Sequence, residues 1–195
     1  IKTSDEIRTV TPQQKQQAQQ QYSQYLNTIF PDSKVKDIVY HGTGKEFEIF
    51  DKQILLDRAG AHFTTKKGLD NSRFANQKTK ISLINLTNPK NIKDQGGLGK
   101  WKVELNIKNN NPTELITGWD LAKEANIEND GFIYKNEAQS EGFGEDAYVV
   151  FNPEQIHILG SKQDIEGFKE FVEQPIVKEN NQEITKEDTD KLPPC

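Results

Sequence analysis

The densest apolar run of the chain, Ala-Tyr-Val-Val-Phe at residues 147–151, constrains the fold more than any other stretch. Five apolar residues in succession leave neither face of a strand polar, which is typical of a central strand. We therefore predict strand structure over residues 146–159, the stretch DAYVVFNPEQIHIL.

Other segments are predicted as strands or helices from the period of their apolar residues. The predicted strands are 34–42, 62–67, 80–86, 101–109 and 130–136. The predicted helices are 12–29, 67–77, 118–130 and 161–174. Because the helices do not alternate regularly with the strands, the pattern favours the α+β class over a doubly wound α/β fold.

The amino-terminal helix carries its own start signal. Thr11 is a capping residue, Pro12 suits the first helical position, and Gln14 completes a capping-box pattern. A glutamine-rich disordered tract is the alternative. We divide the chain into a polar arm with this helix at 1–34, a body at 35–172, and a charged tail or linker at 173–195.

Composition excludes several classes of function. The net charge of -5 disfavours nucleic acid as a tightly held partner. The single cysteine, Cys195, permits no intrachain disulfide and no cysteine metal cage, and it fits a reducing compartment. No apolar run approaches the ~20 residues of a membrane span, and no signal peptide is visible. The chain starts with Ile rather than Met, as a piece of a longer polypeptide would.

Three motifs follow one another along the body. They are YHGT (40–43), GAHFTTKKGLDNSRFA (60–75) and EDAYVVFNPEQI (145–156). Over residues 35–161 the chain resembles the ADP-ribosyltransferase superfamily, in the His-Tyr-Glu branch of diphtheria-type toxins and poly(ADP-ribose) polymerases. It is most similar to such domains in polyvalent proteins of phages and mobile elements. The resemblance implies a split, twisted β-sandwich with a central cleft and peripheral short helices.

The resemblance also implies NAD as the substrate and no metal. His41 would hydrogen-bond the adenine-side ribose, the backbone of Gly42 would meet the nicotinamide carboxamide, and Thr43 would support that contact. A buried histidine at a strand end, with no ligand, is the alternative for His41.

In the second motif, His62 stands where the family has tyrosine. Its flat imidazole can still stack on nicotinamide, with Phe74 supplying the other face of the pocket. Phe63 belongs to this motif but is interpreted as core. Arg58 is a candidate contact for the NAD pyrophosphate, with a solvated loop arginine as the alternative. His157 is interpreted as structural or exposed.

The third motif departs from the family, because Ala147 stands at the position of the catalytic glutamate. Three explanations compete. The sequence is an engineered inactive form, or a natural non-catalytic NAD binder, or Glu145 two residues earlier takes over the role. Glu145 would face the same side of an extended strand as Ala147.

The function predicted from the sequence is mono-ADP-ribosyl transfer from NAD to a macromolecular acceptor, impaired here by Ala147. Protein is favoured over nucleic acid as the acceptor. A toxin or effector acting in the cytoplasm of the producing or infected cell fits this interpretation. The alternatives are a non-catalytic module that binds NAD or ADP-ribose, and a structural domain of a phage protein with a vestigial cleft.

Overall fold

The structure is a computed structural model, and it describes residues 10–93, 128–137 and 142–174 together with the backbone of 102–107 and 111–117. Within these residues four α-helices occur. They are α1 (Pro12–Ile29), α2 (Lys52–Asp57), α3 (Lys66–Asp70) and α4 (Lys162–Glu173). The predicted amino-terminal helix is confirmed, and the Thr11–Gln14 capping box forms at its start.

The same residues contain nine strands. They are β1 (Val39–Thr43), β2 (Ala61–Thr64), β3 (Lys78–Ile84), β4 (Lys90–Asn91), β5 (Lys102–Ile107), β6 (Asn111–Thr117), β7 (Gly131–Lys135), β8 (Asp146–Val150) and β9 (Ile156–Ile158). Seven of them form one sheet in the order β4-β7-β8-β2-β1-β3-β9, while β5 and β6 form a separate antiparallel pair. All pairings in the large sheet are antiparallel except β4 with β7. This mixed sheet with flanking helices confirms the predicted α+β class.

The long strand predicted at 146–159 is wrong in one respect. It is two strands, β8 and β9, separated by a 3-10 turn at Pro153–Gln155. Proline at 153 has no N–H to donate to a sheet, so the chain turns there and β9 pairs with β3 instead. The sequence-based prediction also missed α2, β4 and β6, and the helix predicted at 118–130 lies mostly outside the described residues.

The central position predicted for the apolar run is confirmed. β8 lies between β2 and β7, and its residues Ala147, Tyr148, Val149 and Val150 are all buried. Tyr148 and Val150 pack into the main core cluster on one face of the sheet, with Phe63 of β2 and Leu55 of α2. An uninterrupted apolar strand forms here because both of its faces are covered.

A buried carboxylate joins α1 to the rest of the molecule. Asp164, 2% exposed, accepts hydrogen bonds from the Tyr22 hydroxyl (2.7 Å) and the Gly160 backbone N–H (2.8 Å). Its other oxygen lies 2.7 Å from Nε2 of His157, which is buried and structural. The carboxylate therefore links α1, α4 and β9.

Candidate functional site

β1 brings the first motif to the middle of the sheet. Its residues pair on one side with β3, where His41 is opposite Lys80, and on the other side with β2, where Tyr40 is opposite Thr64. The His41 ring is half-buried and packs against Phe50 (5.2 Å between centroids) and Phe63 (5.5 Å). Aromatic packing on these two sides fixes the plane of the imidazole.

One ring nitrogen of His41 forms a hydrogen bond within the protein. Nδ1 lies 2.7 Å from the backbone carbonyl oxygen of His62. Because a carbonyl can only accept, Nδ1 carries the hydrogen of this bond. Burial lowers the pKa of His41, so the ring is neutral near pH 7. Nε2 is then left with a lone pair, and it can accept a hydrogen bond from a hydroxyl.

β2 carries the second motif between β1 and β8. Burial lowers the pKa of His62 to about 4, with a smaller contribution from the neighbouring His41, so this imidazole is neutral as well. Phe63 is 1% exposed and belongs to the main core cluster, as the sequence reading placed it. Adjacent residues of a strand face opposite ways, so His62 and Phe63 lie on different faces of the sheet.

The segment after α3 covers β1 at Gly42. A Cβ atom on Gly42 would lie 2.6 Å from Cβ of Phe74 and 3.2 Å from Cδ1 of Leu69. Only glycine permits this approach. Phe74 thus lies directly over the backbone at which the carboxamide contact is predicted. The Arg73 guanidinium stands 4.8 Å from the centre of the Phe74 ring, so one face of that ring already carries a cation.

β8 brings the third motif next to the second. Thr64 of β2 pairs with Tyr40 on one side and with Ala147 on the other. With strands spaced about 4.8 Å apart, Ala147 lies about 10 Å from β1. Paired residues of a ladder share a face, so Ala147 also lies on the face of Thr64 and, on its other side, Tyr134. Ala147 is 3% exposed.

Glu145 is held by the start of α3. Its carboxylate pairs with Lys67 Nζ at 2.5 Å and accepts a hydrogen bond from the Thr65 hydroxyl at 2.9 Å. These two partners hold the pKa of Glu145 below its usual range. The carboxylate is ionised, and each of its oxygens already accepts one hydrogen bond from the start of α3.

The remaining candidates lie around this centre. Thr43 ends β1, and its hydroxyl accepts a hydrogen bond from the Lys45 backbone N–H at 3.2 Å. Arg58 is exposed at the carboxyl end of α2, just before β2. A groove of about 950 Å³ lies elsewhere, between α1 and α4, and none of the candidate residues lines it. Among the described residues no group of three or more His, Cys, Asp or Glu side chains could hold a metal ion.

Two contacts near the site were not anticipated from the sequence. Thr65 and Lys67, which hold Glu145, gave no signal, because they are distant in sequence and polar. Lys80 gave no signal either. The alternation of Ile81 and Leu83 in the sequence places Lys80 on the polar face of the strand, whereas the structure buries it together with Ser82 and Ile84.

The mixed sheet with its flanking helices is consistent with the ADP-ribosyltransferase class of domains. The family model for ADP-ribosyltransferases in polyvalent proteins matches residues 35–170, and the chain belongs to that family. Searches of curated proteins and of solved structures found no match. In the part of the chain that the structure describes, no helix has the length and apolar character needed to cross a membrane.

Proposed function

We propose that this domain binds NAD between β1, β2 and β8 and transfers its ADP-ribose group to a macromolecular acceptor, with turnover impaired by Ala147. The observation that carries the proposal is the double pairing of Thr64 with Tyr40 and Ala147, because it puts the ends of all three motifs side by side. Membership of the family supports NAD as the substrate.

The binding roles follow from the chemistry of each group. Nε2 of neutral His41 accepts a hydrogen bond from a ribose hydroxyl, while its Nδ1 stays bound to the His62 carbonyl. The Gly42 backbone has no side chain to keep the nicotinamide carboxamide away. His62 and Phe74 offer flat surfaces for the nicotinamide ring. In this arrangement Arg58 contacts the pyrophosphate. Thr43, at the end of β1, supports the carboxamide contact.

In the reaction, the bond between the nicotinamide nitrogen and ribose C1′ breaks, and its electron pair leaves with nicotinamide. Positive charge develops on the ribose, as in glycoside hydrolysis. A nucleophile of the acceptor then bonds to C1′ and loses its proton. A carboxylate near the ribose stabilises the charge that appears only in the transition state.

Alanine at position 147 cannot supply that carboxylate. Glu145 has the right charge, but Lys67 and Thr65 already bind its two oxygens. These two contacts hold the carboxylate toward the start of α3 and compete with a contact to the ribose. We therefore expect turnover by this chain to be slow while NAD binding persists.

The test is nicotinamide release from NAD by the chain with Ala147 and by its Ala147→Glu and Ala147→Gln variants. The glutamine variant adds the same bulk at a buried position without the charge, so it controls for altered packing. One preorganised electrostatic group is worth on the order of 10²–10³ in turnover. We expect the glutamate variant to exceed both other forms by at least about a hundredfold. Equal rates for the glutamate and glutamine variants would contradict the proposed role of position 147.

Alanine at this position also favours a second function, a module that binds NAD or ADP-ribose without catalysis. The same assay separates the two when it is combined with calorimetric titration of NAD. Binding with no turnover in the Ala147→Glu variant supports the binding module. Absence of NAD binding in all forms would refute both functions and leave a vestigial cleft.

The net charge of -5 favours a protein over a nucleic acid as the acceptor, because an acidic chain repels phosphate backbones at long range. We place the activity in the cytoplasm of the producing or infected cell, where a toxin or effector carried by a polyvalent protein would meet NAD. Labelling of a lysate with isotopic NAD and the Ala147→Glu variant, followed by mass spectrometry, identifies the acceptor.

A further inference from the structure

A lysine lies beside His41 on the face of the sheet that carries Phe63. Lys80 of β3 is directly opposite His41 in the β1–β3 ladder, so their Cβ atoms are roughly 5 Å apart on one face. Its side chain is only 10% exposed. A cation in so little water needs an anionic partner, because removing a charge from water is costly.

The partner of Lys80 comes from the turn that follows the first motif. Glu46 binds the Lys80 ammonium with one carboxylate oxygen, and its other oxygen lies 3.4 Å from Lys78 Nζ. The Glu46 side chain is 64% exposed. The anion that neutralises a nearly buried lysine is therefore held on the solvent side, where another anion can replace it.

Lys80 is fixed by more than its charge. Its ammonium lies 5.0 Å from the centre of the Phe47 ring, and Phe47 packs edge-on against Phe50 at 4.8 Å. Phe50 is the ring that contacts His41. The lysine and the histidine are thus held by one aromatic cluster, and Lys80 keeps its position when its carboxylate partner changes.

We propose that Lys80 binds the diphosphate of NAD, and that Glu46 occupies this position until the dinucleotide displaces it. The inference rests on the proposed NAD site, which it deepens by adding Lys80 to Arg58 as a second contact of the diphosphate. Two lysines and one glutamate leave a net charge of one positive beside His41, and Lys78 gives a second cation for the second phosphate. Phosphate oxygens bind ammonium groups through short charge-assisted hydrogen bonds.

The proposal differs from a purely structural ion pair in its prediction for Glu46. If Glu46 competes with the diphosphate, then Glu46→Gln strengthens NAD binding, since the competitor loses its charge. If the pair only holds the turn against β3, then removing either partner weakens binding by loosening the turn. The two partners respond in opposite directions in the first case and in the same direction in the second.

The experiment is calorimetric titration of NAD into the full chain and its Lys80→Met, Lys80→Arg, Glu46→Gln and Lys162→Met variants. Lys162 is the control, because its exposed ammonium pairs with Glu166 on α4 and not with Glu46. We expect Lys80→Met to weaken NAD binding about tenfold or more and Lys80→Arg to retain most of it. Glu46→Gln should tighten binding several-fold, and Lys162→Met should change nothing.

Every outcome supports or overturns the proposed role of Lys80. If the unmodified chain does not bind NAD, the proposed function and this inference are both overturned. Equal NAD affinity of the unmodified chain and Lys80→Met overturns the inference alone. Weaker binding in Glu46→Gln shows a structural ion pair and also overturns it. Because Glu46 is exposed, we expect Glu46→Gln to fold, and its NAD affinity tests the inference even if Lys80→Met does not fold.

Discussion

At His62 a single imidazole replaces the tyrosine expected from the family motif, and its surroundings set its charge. The ring is half-buried beside β8, its pKa is about 4, and it stays neutral in the folded chain at pH 7. In the unfolded chain an ordinary histidine has a pKa near 6.5. Between these two values the unfolded state binds more protons than the folded state.

This difference predicts that the free energy of unfolding decreases as the pH falls. Stability rises with pH wherever the unfolded state is more protonated, so it is fully present near pH 7 and is lost as the pH falls from about 6.5 to about 4. His62 alone accounts for about 3 kcal/mol over that window. Thermal unfolding between pH 7.5 and 4.5 should show this loss, and His62→Tyr should lose markedly less. The same loss in both proteins would mean that His62 is not the group responsible.

The sequence predicted some of the candidate site residues but not the contacts that hold them. His41, Gly42 and Ala147 were predicted as site residues because they lie in short motifs whose order along the chain carries information. The hydrogen bond from His41 to the His62 carbonyl could not be predicted, because it depends on the register of β1 against β2. The ion pair between Glu145 and Lys67 could not be predicted either, because Lys67 lies 78 residues earlier in the chain.

Among the elements, strands with a clear apolar period were predicted well. β3, β7 and β8 each lie within a predicted segment or overlap most of it. α2 was missed because six residues give too short a period to recognise, although Asp51 caps it. The sheet order could not be derived, since no local signal tells which strands become neighbours.

The contact between β1 and the segment after α3 gives a test at the level of elements. In Gly42→Ala the new methyl group would meet Cβ of Phe74, so one element has to move. We expect a loss of about 1–3 kcal/mol in the free energy of unfolding, as for other overpacked sites. Gly44→Ala is the control, because a Cβ there has no atom within 4 Å. Chemical denaturation measures both, and a Gly42→Ala variant as stable as Gly44→Ala would disprove the close packing.

At the scale of the whole molecule, α1 is attached chiefly by its second half. Residues 11–20 are exposed, whereas Tyr25 is buried against the rings of Phe168 and Phe171 of α4. Tyr22 binds Asp164 through its hydroxyl. Burial and the neighbouring carboxylate raise the pKa of Tyr22, so it remains a donor at any ordinary pH.

Tyr22→Phe tests this attachment. The variant keeps the ring contact with Phe168, at 5.2 Å, and removes only the hydroxyl. A hydrogen bond to a charged group is worth about 1.5–3 kcal/mol, and we expect a loss of that size in the free energy of unfolding. Tyr25→Phe is the matched control, because the Tyr25 hydroxyl has no hydrogen-bond partner among the described residues. Equal stability of the two variants would contradict a role for the Tyr22 bond.

The Asp164 carboxylate has a consequence for how much of the chain has to stay together. The stretch matched by the family model starts at residue 35, after α1 has ended. Recombination that transferred only this stretch would bring along a buried negative charge and leave its tyrosine donor behind. We therefore expect residues 11–174 expressed alone to be more stable than residues 35–174.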